Sequence, residues 1–503
     1  MNKKVILLIL DGWGLTEPDK YNAVDNAKTP VIDKLIHEYP NTRLKSDGLS
    51  VGLPEGQFGT SEINHQVIGT GQVVLQDLPR IDTAIEDESF FSNDELVKAC
   101  NHIKDSGGAL HLTGIISDGK VHCSLDHLLA LIELASKQNV KNLYIHAFLD
   151  GRDAAPKSAK KYLKIVQDKI NEYKFENASI ATIQGRFFLD RDRDWSKTET
   201  ALSLMVDGEG VNYSSYETLI NFTYNQSITD EFFPQSVIDK DGLIKAGDSV
   251  VFFHYRSDRM FQIQRRLIDR KIKDLNIVSF ISVFQEEETG IAFPRKKIEV
   301  NLSGTISKSE KKQIHITETE KYTHLTFFFN AGRDVEYPLE EWLLHPSDRF
   351  VKPFYNFSPS MQSDKITESI IESVDKEYDF ILVNFSNPDM VGHTGNYEAA
   401  VVAIENVDYC VGKVYEKIKD KLDEYALIIL SDHGNSDVMW DYENNQPHTQ
   451  HTTSPVPFIL VTDLGVKLHR RDTLADVAPT ILDLMGVSVP KEMEGESLII
   501  KDK

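Results

Sequence analysis

Side chains that bind divalent metals occur in four separate segments of the sequence, each beside an apolar run. They are Asp11, the pair Asp389 and His393, the adjacent Asp432 and His433, and the pair His448 and His451. Carboxylate oxygens and imidazole nitrogens form a mixed ligand set that suits manganese, zinc or magnesium. One such residue alone is as often a turn cap or a structural histidine, but the joint pattern predicts a metal site.

Ser61 is a candidate nucleophile. It lies in Gly59-Thr60-Ser61-Glu62, where a glycine-containing turn presents the hydroxyl openly. No Ser-His-Asp order is obvious around it in the sequence, so activation by a metal is the simpler chemistry. The alternative is a helix N-cap with Glu62 nearby, which we would prefer if the metal-type residues were absent.

The middle of the chain contributes arginines instead of metal ligands. Guanidinium groups bind carboxylate and phosphate oxygens in pairs, so several arginines in an acidic protein predict a small anionic substrate. The alternative is a surface lattice of ion pairs, which the alternating run 190–194 favours most. His122 is a candidate acid or base because imidazole titrates near neutrality, although a lone histidine is more often structural. The other residues of this kind are Arg152 with Asp153, Arg186, Arg191, Arg256 and Arg259.

Buried parallel strands are the elements that must bring these residues together. The apolar runs Val5–Leu10, Phe380–Phe385 and Ala426–Leu430 each end at turn residues, which is typical of strands inside a parallel sheet. Ligands of such sheets bind at the carboxyl ends of the strands. Strands and helices alternate along most of the chain, so the sequence predicts an α/β fold. Further predicted strands are Leu110–Ile116, Leu143–Phe148, Ser249–Tyr255, Ile277–Val283 and Val456–Val461, and predicted helices are Leu125–Lys137, Pro156–Tyr173 and Tyr397–Leu422.

Length and composition predict two domains in a soluble protein. At 503 residues the chain exceeds what one hydrophobic core usually supports. We place boundaries near Asp77 and within the polar segment 294–313, which gives a domain of residues 1–76 and 298–503 with residues 77–297 inserted.

The net charge of −23 argues against nucleic-acid and membrane partners. Three scattered cysteines, and an opening apolar run too short for a signal or a membrane span, indicate the cytoplasm.

The longest motifs resemble the cofactor-independent phosphoglycerate mutases, a family of the alkaline phosphatase superfamily. The resemblance runs over nearly the whole chain and includes Leu10–Gly14, Gly52–Gln57, His146–Asp153 and Glu318–Tyr322. It implies an alkaline-phosphatase-like parallel-sheet domain that holds two divalent metals, with a second α/β domain inserted to bind substrate. The implied reaction is the interconversion of 3-phosphoglycerate and 2-phosphoglycerate through a phosphoserine, in glycolysis and gluconeogenesis.

The resemblance also implies roles for individual residues. It places one metal on Asp389, His393 and His451, with His448 nearby, and the other on Asp11, Ser61, Asp432 and His433. Ser61 would carry the phosphoryl group, with His122 and Lys321 as further catalytic residues. The implied substrate contacts are His122, Arg152, Asp153, Arg186, Arg191, Arg256, Arg259 and Lys321. The implied metal is manganese, the implied substrate is phosphoglycerate, and we expect a monomer.

The chain departs from the family pattern at a few positions. Asn64 and Lys120 stand where glycine is common, Cys123 replaces the usual residue after His122, and the loop Phe187–Trp195 is one residue short. Asn64 matters most if its backbone needs a positive φ, which asparagine tolerates better than most residues. Two alternatives stay open: a metal-dependent phosphomonoesterase or phosphopentomutase of the same superfamily, and a degenerate protein that binds phosphoglycerate or metal without turnover.

Overall fold

The chain forms two compact α/β units. The computed structural model describes residues 2–284, 288–295, 297–348, 352–471 and 473–500. One unit consists of Met1–Gln76 together with Lys297–Lys503, and the other consists of Asp77–Lys296. The second unit therefore interrupts the first in sequence, and each unit contains its own main sheet.

Strands and helices alternate through both units, as the sequence predicts. The strands are β1 Lys4–Leu10, β2 Asn41–Leu44, β3 Leu110–Ile116, β4 Asn142–Leu149, β5 Asn177–Gly185, β6 Val211–Asn212, β7 Ser236–Val237, β8 Ser249–Phe252, β9 Asn276–Ser279, β10 Gly290–Ile291, β11 Gln313–Glu318, β12 Glu340–His345, β13 Phe380–Phe385, β14 Tyr425–Leu430, β15 Trp440–Asp441, β16 Gln446–Pro447, β17 Val456–Val461, β18 Lys467–Leu468 and β19 Ile499–Ile500. The α-helices are α1 Ala23–Asn26, α2 Pro30–Glu38, α3 Ser61–Thr70, α4 Asp77–Glu86, α5 Asp94–Ser106, α6 Leu125–Lys137, α7 Ala159–Glu172, α8 Trp195–Val206, α9 Tyr216–Asn225, α10 Met260–Asp269, α11 Leu302–Lys308, α12 Ser363–Asp375, α13 Asn387–Gly392, α14 Tyr397–Ile418 and α15 Val477–Leu484. Within the described ranges, none of these helices has the length and apolar character that crossing a lipid bilayer requires.

The main sheet of the first unit is built around β1. Its strand order is β12-β11-β13-β1-β14-β17-β2. β1 pairs in parallel with β13 and β14, whereas β17 and β2 extend the sheet by antiparallel pairing. Every residue of β13 and β14 is buried, which explains why these strands are almost entirely apolar, with Asn384 as the exception in β13. The strands predicted at 5–10, 380–385, 426–430 and 456–461 are confirmed.

Alternate side chains of β1 pack into two different cores. Val5, Leu7 and Ile9 belong to a core with residues of α3, α11 and α15. The residues between them belong to a core with α2, α12 and α14 on the other face of the sheet. Burial of each such side chain stabilises the fold by ~1.5–3 kcal/mol. A slip of one residue would exchange the two faces, so packing on both sides holds β1 in its register.

The main sheet of the second unit has the order β10-β9-β8-β3-β4-β5-β7-β6. β3 pairs in parallel with β4 and β8, and the predictions for β3 and α6 match the structure residue for residue. β8 ends at Phe252, three residues before its predicted end. The reason is that the backbone N–H of Tyr255 bonds to the carbonyl oxygen of His122 at 3.0 Å and not to a neighbouring strand.

A chain of buried polar side chains crosses the sheet of the second unit. His146 Nδ1 lies 2.8 Å from Thr182 Oγ1, and its Nε2 lies 3.0 Å from His111 Nδ1. His111 Nε2 in turn lies 3.0 Å from Asp248 Oδ2. Burial lowers the pKa of His146 well below its usual value, because a charged imidazole would lose its hydration there. His146 is therefore neutral in the folded unit at neutral pH.

We expect the second unit to lose stability as the pH falls below about 6.5. The unfolded chain binds a proton at His146 below that ordinary pKa and the folded chain does not, so unfolding becomes easier by ~1.4 kcal/mol per pH unit. His146→Gln is expected to make the loss between pH 7 and pH 5 less steep. Hydrogen exchange of the amides of β3 and β4 measures the unfolding free energy at each pH. His102→Gln is the control, because it removes a histidine that lies outside the sheet. An unchanged pH slope in His146→Gln would contradict the expectation.

Candidate metal centre and active site

The strand register of the first unit brings two predicted metal ligands to the same level of the sheet. Ile9 of β1 pairs with Leu430 of β14. Asp11 and Asp432 each lie two residues further on, beyond the carboxyl ends of these strands, and both side chains are fully buried. The register thus places carboxylates from opposite ends of the chain beside each other.

Asp389, His393 and His451 form the first group of metal-type side chains. Asp389 is buried in the first turn of α13. Its Oδ1 lies 3.2 Å from His393 Nε2 and 3.3 Å from His451 Nε2, and the two imidazole nitrogens are 3.1 Å apart. The structure therefore brings together the three residues that the resemblance assigns to one metal.

Backbone carbonyls determine the tautomers of both histidines. His393 Nδ1 lies 2.7 Å from the carbonyl oxygen of Thr449, and His451 Nδ1 lies 2.9 Å from that of Gly59. A carbonyl only accepts, so both Nδ1 atoms carry a hydrogen and neutral rings have their Nε2 lone pairs facing each other. Two lone pairs at this separation repel unless a cation lies between them. The group therefore fits a metal ion.

Asp11, Asp432, His433 and Ser61 form the second group. His433 Nε2 lies 2.9 Å from Ser61 Oγ, 3.3 Å from Asp432 Oδ2 and 3.7 Å from Asp11 Oδ1. Neither buried oxygen of the Asp432 carboxylate accepts a hydrogen bond from the residues that the structure describes. A buried carboxylate without donors is costly unless a cation binds it, so this group also fits a metal.

His433 adjoins both groups. Its ring stacks on that of His451, with ring centroids 3.7 Å apart, and its ligand atom also lies close to those of Asp389 and His451. Burial lowers the pKa of His433 to about 3, so the imidazole is neutral and able to bind a metal. His448 belongs to neither cluster of close ligand atoms among the described residues.

Lys321 supplies an ammonium to the same site. It lies in a short 3-10 turn directly after β11 and is buried. Its Nζ donates to Asp11 Oδ1 at 2.8 Å, to Asp389 Oδ2 at 2.6 Å and to Ser61 Oγ at 2.7 Å. Although burial favours the neutral amine, Asp11 and Asp389 raise the pKa of Lys321 above its usual value. The side chain is therefore charged and bridges both groups.

The pKa values of the buried carboxyl groups shift in opposite directions at this site. Burial and the neighbouring Asp432 raise the pKa of Asp11 to about 7. Burial acts in the same direction on Asp389, yet the Lys321 ammonium and two histidine neighbours hold the pKa of Asp389 well below its usual range. One ammonium does not neutralise three carboxylates, so the site attracts further positive charge.

Ser61 is the first residue of α3, and its hydroxyl contacts Lys321 and His433. The helix is capped by Thr60, whose side chain accepts from the backbone N–H of Ile63, so the alternative in which Ser61 is the cap is wrong. Gly59 allows the close turn before it, because a Cβ there would lie 2.1 Å from the carbonyl oxygen of Ser46. At a helix N-terminus, a negatively charged Ser61 oxygen or its phosphate is stabilised.

Three buried polar residues that sequence reasoning missed complete this site. Asn384 Nδ2 donates to Asp11 Oδ2 at 2.7 Å, and Asn435 Nδ2 donates to Asp389 Oδ1 at 2.8 Å. The third is His65, in the helix that begins at Ser61. A usable signal existed for Asn384, because it is the one polar residue in the otherwise apolar β13. The asparagine amides orient the two aspartates that they contact.

The departures from the family pattern have different structural consequences. Asn64 lies inside α3, so its position needs no positive φ, and its amide donates to the carbonyl oxygens of Ser46 at 2.9 Å and Asp432 at 2.6 Å. Lys120 does have a positive φ of 47°, where glycine would be unstrained. Cys123 is buried as a free thiol. Asn64 therefore adds a hydrogen bond to the backbone of Asp432, a proposed metal ligand, whereas Lys120 adds backbone strain.

Guanidinium groups of the second unit converge on one region. Arg186 is buried and its NH1 donates to Asp150 Oδ1 and Asp153 Oδ2, both at 2.5 Å. Burial and the charges of Arg186 and Arg191 lower the pKa of Arg259 to about 10. Arg191 pairs with Asp258, the sequence neighbour of Arg259, so these two arginines lie close together, as a site for a small anion would need.

His122 lies beside this arginine cluster. Its Nδ1 is 3.4 Å from Asp258 Oδ1, and Arg191 NH1 donates to Asp258 Oδ2 at 2.7 Å. Two other predicted contacts are more exposed: Arg152 lies 3.9 Å from Glu231, and Arg256 is at the surface. The structure thus brings His122, Arg191 and the buried arginines together, while Arg152 and Arg256 lie at the rim.

The chain is similar to known enzymes over its whole length. A model of the metalloenzyme superfamily matches residues 3–489. The 2,3-bisphosphoglycerate-independent phosphoglycerate mutase of Moorella thermoacetica is 44% identical, with 100% of this chain and 99% of the relative covered, and that of Clostridium novyi is 44% identical with 99% of each covered. A crystal structure of Leishmania mexicana phosphoglycerate mutase at low cobalt concentration is 28% identical, with a TM-score of 0.55 over 100% of this chain and 98% of that one.

Replacing Lys321 with Met is expected to destabilise the metal-free protein more than the metal-saturated protein. Without the ammonium, the buried carboxylates of Asp11 and Asp389 lose the lysine that pairs with both, which costs ~3–5 kcal/mol, and bound divalent ions would offset part of that loss. Urea unfolding in chelator and in Mn²⁺ measures the difference. Lys3→Met is the control, because Lys3 is a buried lysine that pairs with Asp463 at 2.7 Å at the other end of β1. Equal losses for Lys321→Met in both conditions would refute the expectation.

Proposed function

The chain belongs to the 2,3-bisphosphoglycerate-independent phosphoglycerate mutases, isomerases that interconvert 3-phosphoglycerate and 2-phosphoglycerate, and we propose that it transfers the phosphoryl group by way of Ser61. The observation that carries the proposal is the position of the Ser61 hydroxyl. Its oxygen lies 2.7 Å from Lys321 Nζ and 2.9 Å from His433 Nε2, beside buried carboxylates. A hydroxyl in such surroundings is equipped to accept a phosphoryl group.

Divalent metal ions are the cofactors of this enzyme, and we propose that it binds two ions of manganese. One would be held by Asp389, His393 and His451, and the other by Asp11, Ser61, Asp432 and His433. Ligand sets of carboxylate and imidazole suit manganese. When bound, the ions supply positive charge that lowers the pKa of the Ser61 hydroxyl and neutralises the phosphoryl oxygens.

Ser61 performs the first half of the proposed reaction. Its oxygen, after releasing its proton to solvent, attacks phosphorus in line while the bond between phosphorus and the glycerate oxygen breaks. Lys321 donates to the phosphoryl oxygens and offsets their charge. His122 gives a proton to the departing glycerate oxygen. In the second half His122 takes the proton from the other hydroxyl of glycerate, and that oxygen displaces Ser61 from phosphorus.

Substrate binding is assigned to the second unit, Asp77–Lys296. Its arginines would bind the carboxylate and phosphate oxygens of phosphoglycerate, and Asp153 would accept a hydrogen bond from a hydroxyl. The contacts are His122, Arg152, Asp153, Arg186, Arg191, Arg256 and Arg259. A phosphomonoesterase or phosphopentomutase needs the metal-type residues but not a carboxylate-binding set. Assays with both phosphoglycerates, a pentose phosphate and a simple phosphate ester distinguish these activities, and binding without turnover would indicate a degenerate protein.

We also propose that the enzyme acts as a monomer in the cytoplasm. The metal-type side chains of both groups come from one chain, so a single copy suffices for the chemistry. The cysteines Cys100, Cys123 and Cys410 are all buried free thiols, which suits a reducing compartment. Sedimentation of the purified protein tests the oligomeric state.

Ser61→Ala is expected to abolish phosphoglycerate isomerisation, with a loss of at least about 10³-fold in kcat, because no other group takes the phosphoryl. The parent protein mixed with 3-phosphoglycerate is expected to yield a phosphorylated peptide containing Ser61, which mass spectrometry detects. Ser373→Ala removes a buried serine that bonds to the carbonyl oxygen of Ser369 at 2.7 Å within α12 and serves as the control. An active Ser61→Ala variant would sink the proposal.

Chelation is expected to remove activity, and added Mn²⁺ is expected to restore it. The parent chain is expected to bind two Mn²⁺ ions, and His451→Ala to bind one tightly, because that variant lacks a ligand of only one group. Titration calorimetry on chelator-treated protein counts the ions. His315→Ala, which removes a buried histidine of β11, is the control and is expected to keep both sites. One ion in the parent, or two tight ions in His451→Ala, would disprove the two-metal assignment.

A further inference from the structure

His65 is a buried histidine that the proposed reaction does not use. It lies in α3 one turn after Ser61, and its side chain is 0% exposed. Its ring presents a ligand atom within 4.8 Å of ligand atoms of Asp11 and Asp432. By distance alone, His65 is therefore either a further metal ligand or a group that holds the ligands in place. The hydrogen bonds of its two ring nitrogens distinguish these roles.

The Nδ1 atom of His65 forms a hydrogen bond with the backbone of Ser61. His65 Nδ1 lies 2.9 Å from the carbonyl oxygen of Ser61. A carbonyl oxygen only accepts hydrogen bonds, so Nδ1 must carry a hydrogen and donate it. The same nitrogen is 3.3 Å from Asp432 Oδ2, which accepts no hydrogen bond from the described residues. The Asp432 oxygen thus keeps its lone pairs for a metal, while His65 Nδ1 has none to offer.

The second ring nitrogen is occupied by Asn384. His65 Nε2 lies 3.1 Å from Asn384 Nδ2, and the same amide nitrogen donates to Asp11 Oδ2 at 2.7 Å. The reversed amide would turn its oxygen against the Asp11 carboxylate, so the amino group must face both neighbours. The amide group of Asn384 then donates one of its two hydrogens to Asp11 and the other to His65. His65 Nε2 accepts one of them, and the imidazole is the neutral tautomer with its hydrogen on Nδ1.

These bonds form a closed circuit around the nucleophile. The Ser61 carbonyl accepts from His65, His65 accepts from Asn384, and Asn384 donates to Asp11. Lys321 then joins the other oxygen of Asp11 to the Ser61 hydroxyl. Every member is buried, so water does not compete for these bonds. The circuit therefore fixes the distance between the Ser61 hydroxyl and one of the carboxylates proposed to bind metal.

We propose that His65 is a positioning residue of the phosphoryl-transfer site and not a metal ligand. Its neutral ring connects the pair Asp11 and Asn384 to the first turn of the helix that carries Ser61. The inference rests on the proposed role of Ser61 as nucleophile. It assigns to His65 the work of holding the Asp11 carboxylate and the attacking oxygen in one fixed arrangement.

The test compares His65→Phe with His65→Asn. Phenylalanine keeps the ring and removes both bonds, whereas the amide of asparagine replaces the Nδ1 donor to Ser61. For His65→Phe we expect two bound Mn²⁺, one of them ~10–100-fold weaker, a similar fall in kcat at saturating Mn²⁺, and an unchanged KM for 3-phosphoglycerate. His65→Asn is expected to recover part of kcat. His315→Phe is the control, because it removes a buried histidine that bonds to the carbonyl oxygen of Leu325 at 2.9 Å.

Two outcomes of this comparison overturn the inference. Loss of one Mn²⁺ from His65→Phe would make His65 a ligand, and an unchanged kcat with lowered thermal stability would make its role purely structural. Nitrogen NMR of histidine-labelled, metal-free parent protein gives a second measurement that needs no folded variant. It is expected to show the ring hydrogen on Nδ1 and a lone pair on Nε2, as the bonds to Ser61 and Asn384 require, and a hydrogen on Nε2 overturns the inference. Failure of the proposed function is recognised separately, by activity in Ser61→Ala.

Discussion

Mutual repulsion among three buried carboxylates is the constraint on which the rest of the site depends. Asp11, Asp389 and Asp432 are almost completely excluded from solvent, and water cannot separate their charges. Lys321 offsets part of that repulsion by donating to two of them and to Ser61. The remaining negative charge explains why the site suits divalent cations. A phosphoryl group, itself negative, can approach Ser61 only when that charge is overcompensated.

Packing of the first unit keeps these like charges together. β1 lies between β13 and β14, and its side chains enter separate cores on the two faces of the sheet. A shift of any of these strands by one residue would move each side chain to the opposite face of the sheet and disrupt the packing of both cores. Amide and imidazole groups then orient the carboxylates individually, as Asn384 does for Asp11 and Asn435 for Asp389. Packing of the apolar cores thus stabilises the fold that holds the carboxylates together, and the hydrogen bonds set the orientation of each carboxylate.

The second unit handles charge of the opposite sign. In a chain with a net charge of −23, it gathers arginines whose proximity lowers the pKa of Arg259 to about 10. Asp150 and Asp153 hold the Arg186 guanidinium at 2.5 Å, so that its orientation is set in the folded unit. The first unit thus carries the anionic group of side chains, and the second unit carries the cationic group, which suits the binding of a small anion.

Sequence alone determined which segments form strands and helices, and which residue types are available to bind metal and substrate. β13, β17 and α6 were predicted with their observed bounds, because continuous apolar runs and a helical repeat are local properties that burial imposes on the chain. The metal-ligand roles proposed for Asp389, His393 and His451 followed from residue type and a family resemblance. Sequence reasoning did not find His65, Asn384 or Asn435, and it allowed Ser61 to be a helix cap. Only tertiary structure decided these points, because the hydrogen bonds join residues that lie 46 to 373 positions apart in the sequence, and because the cap of α3 depends on which of two neighbours faces the helix end. Strand register and crossover connections determine such contacts, and no local pattern encodes them.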